Sequence, residues 1–577
     1  MTTVLSHARR MTRFLCILLL AIQTSAVASN FGIAPTDLIW KRLLFADDQG
    51  KLSPSLVQTD FYLTTGTTAA EEMRALAKQQ SPELVCRYPA RYAHMANIGV
   101  IPSPVDTSHC IELHKKLEDL LVDDVWLVIA SPSVTSPMSY FGHVALVFRR
   151  QNDLYFSRAI SFLADSDGHD SDLSLMLRGA TGAIPGKYTV NSFHQLINKY
   201  VEVDQRAVTA YQLVIAPEEL DLLARHLVEV DGVLIDYNFF TNNCSTGIRT
   251  LLEVALGEIT GTDLFGRYTS PNMLVAALQE TQRLDKVFLF EPTEKTIYDE
   301  YWALTPKQRL DVRAMLQGDT PSKIRKATGN EQSARALWIV QNTYRLQFKA
   351  YGKPPDDYAA VMAVDLDWGP EPYQKTEVKS APHRYFAVGF DFGRSNDPVF
   401  SLSPGLYDKQ VPSQTGKVRQ TFRYLTADFR MLNSNLQVDE LRILDLEFLS
   451  QRNMFSKPRS WQFQFGVKRS DPAESLGTFA SYRLGNSWGS PNDLISVMGG
   501  VDVMEHYISP SLTASYERSW GRTSIASGYS HYVSEPLNER MSGLNLRITN
   551  EVKKDMAVTF DFDSASSTSI LSLRVGF

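Results

Sequence analysis

The sequence predicts an α+β chain in which a helical N-terminal cap and a mixed helix-and-strand domain precede a C-terminal antiparallel β-barrel. Three observations predict it. Short apolar strands alternate with amphipathic helices between residues 121 and about 290. From about residue 381 the pattern changes to period two and holds to the last residue. The first residues have the make-up of an export signal. A length of 577 residues also exceeds what one hydrophobic core supports and implies roughly three or four units.

At the start, Arg9, Arg10 and Arg13 precede the apolar run Phe14 to Ile22 and the small residues Ala26-Val27-Ala28. Residues 1–28 therefore read as a secretory signal peptide, too short for a membrane span. Cys16 lies at the front of the apolar run rather than after it, which argues against a lipoprotein cleavage site and sends Cys16 away with the signal. Losing the three arginines takes the basic residues from 58 to 55 against 64 acidic ones, and the formal charge from -6 to about -9. No basic stretch suggests nucleic acid as a partner. Of the three cysteines left in an oxidising compartment, Cys86 and Cys110 are the natural disulfide pair, closing a modest loop, while Cys244 lies far off in a different context.

Residues 30–120 read as the helical cap, with one helix opening at Thr36-Asp37-Leu38-Ile39-Trp40 and another from Thr68 to Lys78. The segment Cys86-Arg87-Tyr88-Pro89-Ala90-Arg91-Tyr92 is expected to be extended and turn-rich because of its proline. Residues 121–290 hold the strands Val125 to Ala130, His143 to Phe148 and Ala207 to Val214, with a helix from Pro217 to Val230. Residues 291–380 are a helical connector, signalled by Thr305-Pro306-Lys307-Gln308: a cap, a first-turn proline and a capping-box glutamine. In residues 381–577, Phe386, Val388, Phe390 and Phe392 alternate with Ala387, Gly389, Asp391 and Gly393, and Trp461, Phe463, Phe465 and Val467 with Gln462, Gln464, Gly466 and Lys468. Roughly ten to twelve such strands fit, and the aromatic terminus Phe577 suits a transmembrane barrel with lipid outside and a polar lumen. A soluble antiparallel barrel or sandwich alternates in the same way and is the competing reading.

The chemistry-bearing segment is Asn242-Asn243-Cys244-Ser245. The helix after it carries Ile248, Leu251, Leu252, Ala255 and Leu256 on one face, and Asn242 and Asn243 are natural caps for its start. Cys244 then lies in the first turn, where the helix dipole favours thiolate, and a nearby imidazole completes the conditions for a nucleophile. A buried structural cysteine is the bland alternative. His143 follows Gly142 at the head of an apolar strand about 100 residues upstream.

Ser139-Tyr140-Phe141-Gly142-His143, Tyr237-Asn238-Phe239 with Asn243-Cys244-Ser245, and Cys86-Arg87-Tyr88-Pro89-Ala90-Arg91 together resemble the Lnb-type periplasmic domain family over about residues 35 to 350. The resemblance implies a circularly permuted papain-like fold, with the histidine strand before the cysteine helix, and lipoprotein N-acyl transfer. Cys244 becomes the nucleophile and His143 the base. Where the family often has Asn on the strand after the histidine, this chain has Ser161, which becomes the candidate third catalytic residue. Ser161 or Asn243 is then the group that orients the imidazole or donates, and Asn243, Ser245 and Tyr237 are the substrate or oxyanion candidates.

Other chemistries drop out. The stretch Asp165 to Asp172 has its glycine misplaced for a calcium loop and reads as a solvated loop. His194, His226 and His531 have no partners at metal-ligand spacing, so no metal and no cofactor is expected. HExxH and phosphate-cradling glycine motifs are absent from the sequence, and its GxSxG match, Gly485 to Gly489, falls inside the period-two region rather than at a strand-to-helix elbow. Three function classes remain: a thiol acyltransferase on lipid or lipoprotein acyl groups at the outer membrane, a cysteine peptidase or amidase on cell-wall or protein substrates, and a non-enzymatic outer-membrane assembly or transport protein. Expected partners are a lipid or lipoprotein substrate, the outer membrane and the barrel-assembly machinery.

Overall fold

The computed structural model describes residues 37–576 except 54–55, 57–59, 123, 132–141, 151–153, 166–173, 175–177, 180, 240, 261–268, 318–330, 367, 372, 377–384, 394–395, 404–418, 470–474, 491, 506, 534–540 and 554–555. The signal peptide, Ser139-Tyr140-Phe141, most of the acidic loop from Asp165 to Asp172, and Phe577 lie outside the described residues. Two compact units emerge, one from residues up to 131 with 142–199 and 208–289, the other from 200–207 and 290 onward.

Among its described residues the first unit begins with the helices α1 (Leu38–Leu43), α2 (Ala69–Lys78), α3 (Pro82–Arg87), α4 (Pro89–Asn97) and α5 (Ile111–Glu118). Their starts follow local chemistry. Asp37 caps α1, and Thr68 with Glu71 forms a reciprocal capping box on α2. The expectation of an extended Cys86–Tyr92 segment is corrected here. Pro82 and Pro89 each occupy the first turn of a helix, where a missing N–H costs nothing, and only Tyr88, at φ -121°, ψ 54°, breaks the helical path before its proline. The Cys86–Cys110 disulfide is formed, with Cα atoms 5.3 Å apart, and ties α3 to the start of α5.

What Arg91 does was not legible in the motif that contains it. Its guanidinium is fully buried, paired with Glu72 at 3.2 Å and Glu229 at 3.3 Å, and lies over the rings of Phe61 and Tyr88. Glu229 also accepts the amides of Ala90 and Arg91 at the open start of α4. This residue therefore neutralises the buried cation and caps a helix with the same carboxylate.

Seven strands complete the unit: β1 (Asp124–Ala130), β2 (His143–Arg149), β3 (Arg158–Ala164), β4 (Ile184–Ser192), β5 (Val208–Leu213), β6 (Ile235–Tyr237) and β7 (Leu284–Phe290), in the order β6-β4-β3-β2-β1-β5-β7. The central pairs are antiparallel, with Ala130 opposite His143. Every residue from Val125 to Ala130 and from Val144 to Phe148 is buried, as the continuous apolar runs require. Among the described residues three longer helices accompany the strands, α6 (Pro217–Glu229), α7 (Cys244–Leu256) and α8 (Pro271–Glu280), besides the short helix Phe193–Ile197.

The second unit has a helical layer of α9 (Thr293–Ala303), α10 (Pro306–Leu316), α11 (Glu331–Tyr351) and α12 (Tyr358–Met362). Thr305 and Gln308 form the expected capping box on α10. Twelve antiparallel strands then close a barrel: β8 (Tyr385–Asp391), β9 (Asp397–Ser403), β10 (Arg419–Leu432), β11 (Asn435–Leu449), β12 (Ser460–Lys468), β13 (Gly477–Gly489), β14 (Asp493–Met504), β15 (Tyr507–Trp520), β16 (Thr523–Tyr532), β17 (Gly543–Lys553), β18 (Met556–Asp563) and β19 (Thr568–Gly576). The ring is closed by β19 on β8, where Val575 faces Phe386.

The barrel is apolar outside and polar inside. Phe386, Val388 and Phe390, Ile495, Val497, Val501 and Val503, and Leu571, Leu573 and Val575 are exposed, while Asp391, Ser481, Arg483, Ser496, Asp502 and Ser511 are buried. Ion pairs line the interior, among them Arg483 with Asp502 at 2.6 Å and Arg430 with Asp391 at 2.9 Å. A water-soluble barrel has the opposite distribution, so the outer wall suits lipid. Trp461 at the start of β12 and the exposed Trp488 and Trp520 at the ends of β13 and β15 mark one rim. Among the described residues no helix is long and apolar enough to cross a membrane.

At that rim the loop between β11 and β12 reaches into the helical layer. Phe455 is buried among Ile297, Tyr301, Leu337, Val340 and Tyr344, its ring 5.3 Å from that of Tyr301. Glu294 on α9 accepts from Ser456 and from Asn453, the latter at 3.3 Å.

Candidate active site

The cysteine helix is placed by its cap and by a glycine. Asn243 is the N-cap of α7: its Oδ1 accepts the amides of Ser245 (2.8 Å) and Thr246 (3.1 Å). Its Nδ2 donates to the carbonyls of Phe239 (3.1 Å) and Thr269 (3.0 Å). Three of the four bonds are buried and that from Thr246 is half-buried, so the side chain of Asn243 is a complete structural bracket. This corrects its candidacy as an oxyanion donor or imidazole partner, because both amide hydrogens are committed to main-chain oxygens.

One turn on, Gly247 lies directly on Phe162 of β3, so close that a Cβ there would come within 2.6 Å of the ring. The Tyr188 hydroxyl on β4 donates to the Gly247 carbonyl at 3.0 Å, and burial raises the phenol's pKa far above its ordinary range. Helix α7 thus packs on β2 and β3 with its first turn fixed in depth. Sequence reasoning passed over Tyr188 and Phe162. A glycine in the second turn of an otherwise good helix was the one available signal of close packing.

Cys244 is the first residue of α7, buried, and not part of a disulfide; its Sγ is 4.0 Å from Ser245 Oγ. The dipole of a thirteen-residue helix favours thiolate at this position.

The imidazole comes from the sheet. Gly142 has φ +82°, a left-handed conformation that glycine adopts without strain, and it turns the chain into β2 so that His143 is the first strand residue. His143 is 7 % exposed, and its Nε2 lies 3.0 Å from Ser161 Oγ on β3, itself buried. The structure therefore joins His143 to Ser161 and packs the Cys244 helix on the two strands that carry them. Ser245 is fully buried behind the cap. Tyr237 is buried on the edge strand β6, with its ring against those of Phe162 and Phe239. Cys86 and Cys110 belong to the helical cap. Cys86, His109 and Cys110 bring donor atoms together, but both thiols are consumed by the disulfide, so the cluster offers no soft metal site.

Residues 114–280, which include β1 through α8, match the model of the Lnb N-terminal periplasmic domain. This segment belongs to that family. Downstream of the Lnb domain, residues 413–532 match a domain of unknown function, DUF7840, which falls on the barrel. No curated protein matches the chain. Among solved structures the barrel is similar to KdgM porin, at 8 % identity over 34 % of this chain and 98 % of that chain with a TM-score of 0.23. It is also similar to a triple mutant of Rhodopseudomonas blastica porin, at 6 % identity over 34 % and 99 % with a TM-score of 0.15. Likeness at this level carries no argument about transport; the closed barrel rests on its own strand pairing.

Proposed function

We propose that the chain is an outer-membrane protein whose Lnb domain, on the periplasmic side, is a cysteine acyltransferase that moves a fatty acyl group from a lipid ester to an amine of a lipoprotein. The observation that carries this reading is the buried His143–Ser161 hydrogen bond on the strands that support the helix headed by Cys244. In this scheme Nε2–H donates to Ser161 Oγ, which leaves the lone pair on Nδ1 and makes Nδ1 the base.

The steps follow from these parts. The Cys244 thiol passes its proton to His143, and the thiolate attacks the ester carbonyl. Collapse of the tetrahedral adduct breaks the acyl C–O bond, His143 returns the proton to the leaving alkoxide, and a thioester remains. An amine then attacks the thioester, His143 takes a proton from the nitrogen, and the C–S bond breaks to give the amide and the thiol. Because Asn243 holds the amides of Ser245 and Thr246, the oxyanion is stabilised in this scheme by the positive end of the α7 dipole. The burial of Cys244 and His143 supports transfer over hydrolysis, because a site closed to bulk water leaves the thioester for the amine.

The lipid-suited wall and the export signal favour the outer membrane. Mass spectrometry of lipoproteins from cells with the wild-type chain, with Cys244→Ala and without the gene tests reaction and substrate together. N-acylation that depends on Cys244 is the expected result. Unchanged lipoprotein N-termini, with cell-wall or protein cleavage products appearing instead, would move the site to the peptidase or amidase class.

A further inference from the structure

The helical layer presents an apolar, basic edge to solvent. Trp302, at the end of α9, is 52 % exposed, and Leu310, in the middle of α10, is 63 % exposed. Arg309 joins them, its guanidinium 4.7 Å from the Trp302 ring centre. Over its eleven residues α10 carries Lys307, Arg309 and Arg313 against the single acid Asp311. The other side of the same helices is the packed cluster of Val312, Met315 and Tyr301 around Phe455. A tryptophan with an apolar neighbour, flanked by cations that keep their heads in water, is the composition of a bilayer interface contact.

The position within the fold agrees. Tyr301, beside Trp302, holds Phe455 of the β11–β12 loop, and that loop leads five residues later into Ser460 and Trp461 at the barrel's tryptophan rim. The edge is therefore tied to the rim where the lipid-suited wall ends. We propose that Trp302, Arg309 and Leu310 form a membrane-surface contact that inserts into the headgroup layer of an anionic phospholipid leaflet and seats the helical layer beside the barrel. The inference rests on the reading of the barrel as membrane-spanning.

The test uses the full chain carrying Cys244→Ser, reconstituted in phosphatidylethanolamine and phosphatidylglycerol vesicles. A bimane label is placed singly at Leu310→Cys, at Leu512→Cys on the exposed barrel wall, or at Lys353→Cys in the exposed turn before α12. Fluorescence is compared in brominated and ordinary lipid. A face lying roughly 5–10 Å into the interface should be quenched about two-fold at positions 310 and 512 and barely at 353. Removing phosphatidylglycerol should weaken quenching at 310 and leave 512 unchanged. Quenching at 512 without quenching at 310 overturns the contact and leaves the barrel reading standing. Loss of quenching at both overturns the barrel reading. A concentration-dependent blue shift at 310 without bromine quenching would assign the edge to a second copy of the chain and also overturn the proposal.

Discussion

Replacing Asn243 separates a cap from a bracket. Asn243→Ala removes two capping bonds at the start of α7, worth about 1 kcal/mol together in a typical N-cap. It also leaves the carbonyls of Phe239 and Thr269 without their Nδ2 partner, and a buried unsatisfied group costs about 1 kcal/mol or more. The sum is about 3 kcal/mol. At roughly 2–4 °C per kcal/mol for a unit of this size, the Lnb domain should melt about 6–12 °C lower. Asn243→Asp is the decisive variant. Aspartate caps helices as well as asparagine does, but here it would aim an anionic oxygen at two carbonyl oxygens and set a negative charge beside Cys244. It should destabilise at least as much as alanine and slow alkylation of the Cys244 thiol. The assay is calorimetry of the full chain in detergent, with the barrel transition as internal reference, and iodoacetamide labelling across pH. A wild-type melting temperature for Asn243→Asp would refute the bracket and reduce Asn243 to an ordinary cap.

In the acyl-transfer assay, Cys244→Ala and His143→Ala should each abolish turnover, and the double variant should lose little more, since nucleophile and base act as a unit. Ser161→Ala should lower kcat about ten- to hundred-fold, or ~1.4–2.7 kcal/mol, with KM unchanged; an unaltered kcat would release Ser161 from its orienting role. Burial holds the His226 pKa below its ordinary value, so its proton goes to the unfolded chain first. Stability should be full above about pH 6.5 and fall as the pH drops below it, and melting curves of His226→Gln should be flatter over that window. On the barrel, Leu512→Arg in the middle of β15 should cost roughly 2–4 kcal/mol and impair insertion, while Val575→Asp near the rim should cost less; heat-modifiable gel mobility reads both.

Period two in the last third of the chain foretold the closed barrel, because a wall between lipid and a polar lumen imposes alternation on every strand. Capping chemistry placed α2 and α10. The helical cap was misjudged at Cys86–Tyr92, where Pro89 starts a helix rather than breaking one. In the site, the place of Cys244 at a helix start was legible from local residues, whereas Ser161 became a candidate only through a family resemblance. Its bond to His143 depends on strand pairing that no local pattern records. The same holds for Arg91. Its partner Glu229 lies 138 residues away, so the sequence shows an arginine in a motif and not the buried charge it must neutralise.

Phe455 sets an order of events. The helical layer is synthesised before the barrel, yet its cluster contains a side chain from the loop between the fourth and fifth barrel strands. Until that hairpin exists the layer lacks a buried aromatic ring, a deficit of about 3–5 kcal/mol by analogy with Phe→Ala in a core. Completion of the helical layer is thus coupled to barrel assembly, and a chain stalled before insertion carries an unfinished connector. Proteolytic nicking within residues 293–362 is therefore a reporter of assembly: such chains should be cut there and assembled chains should resist.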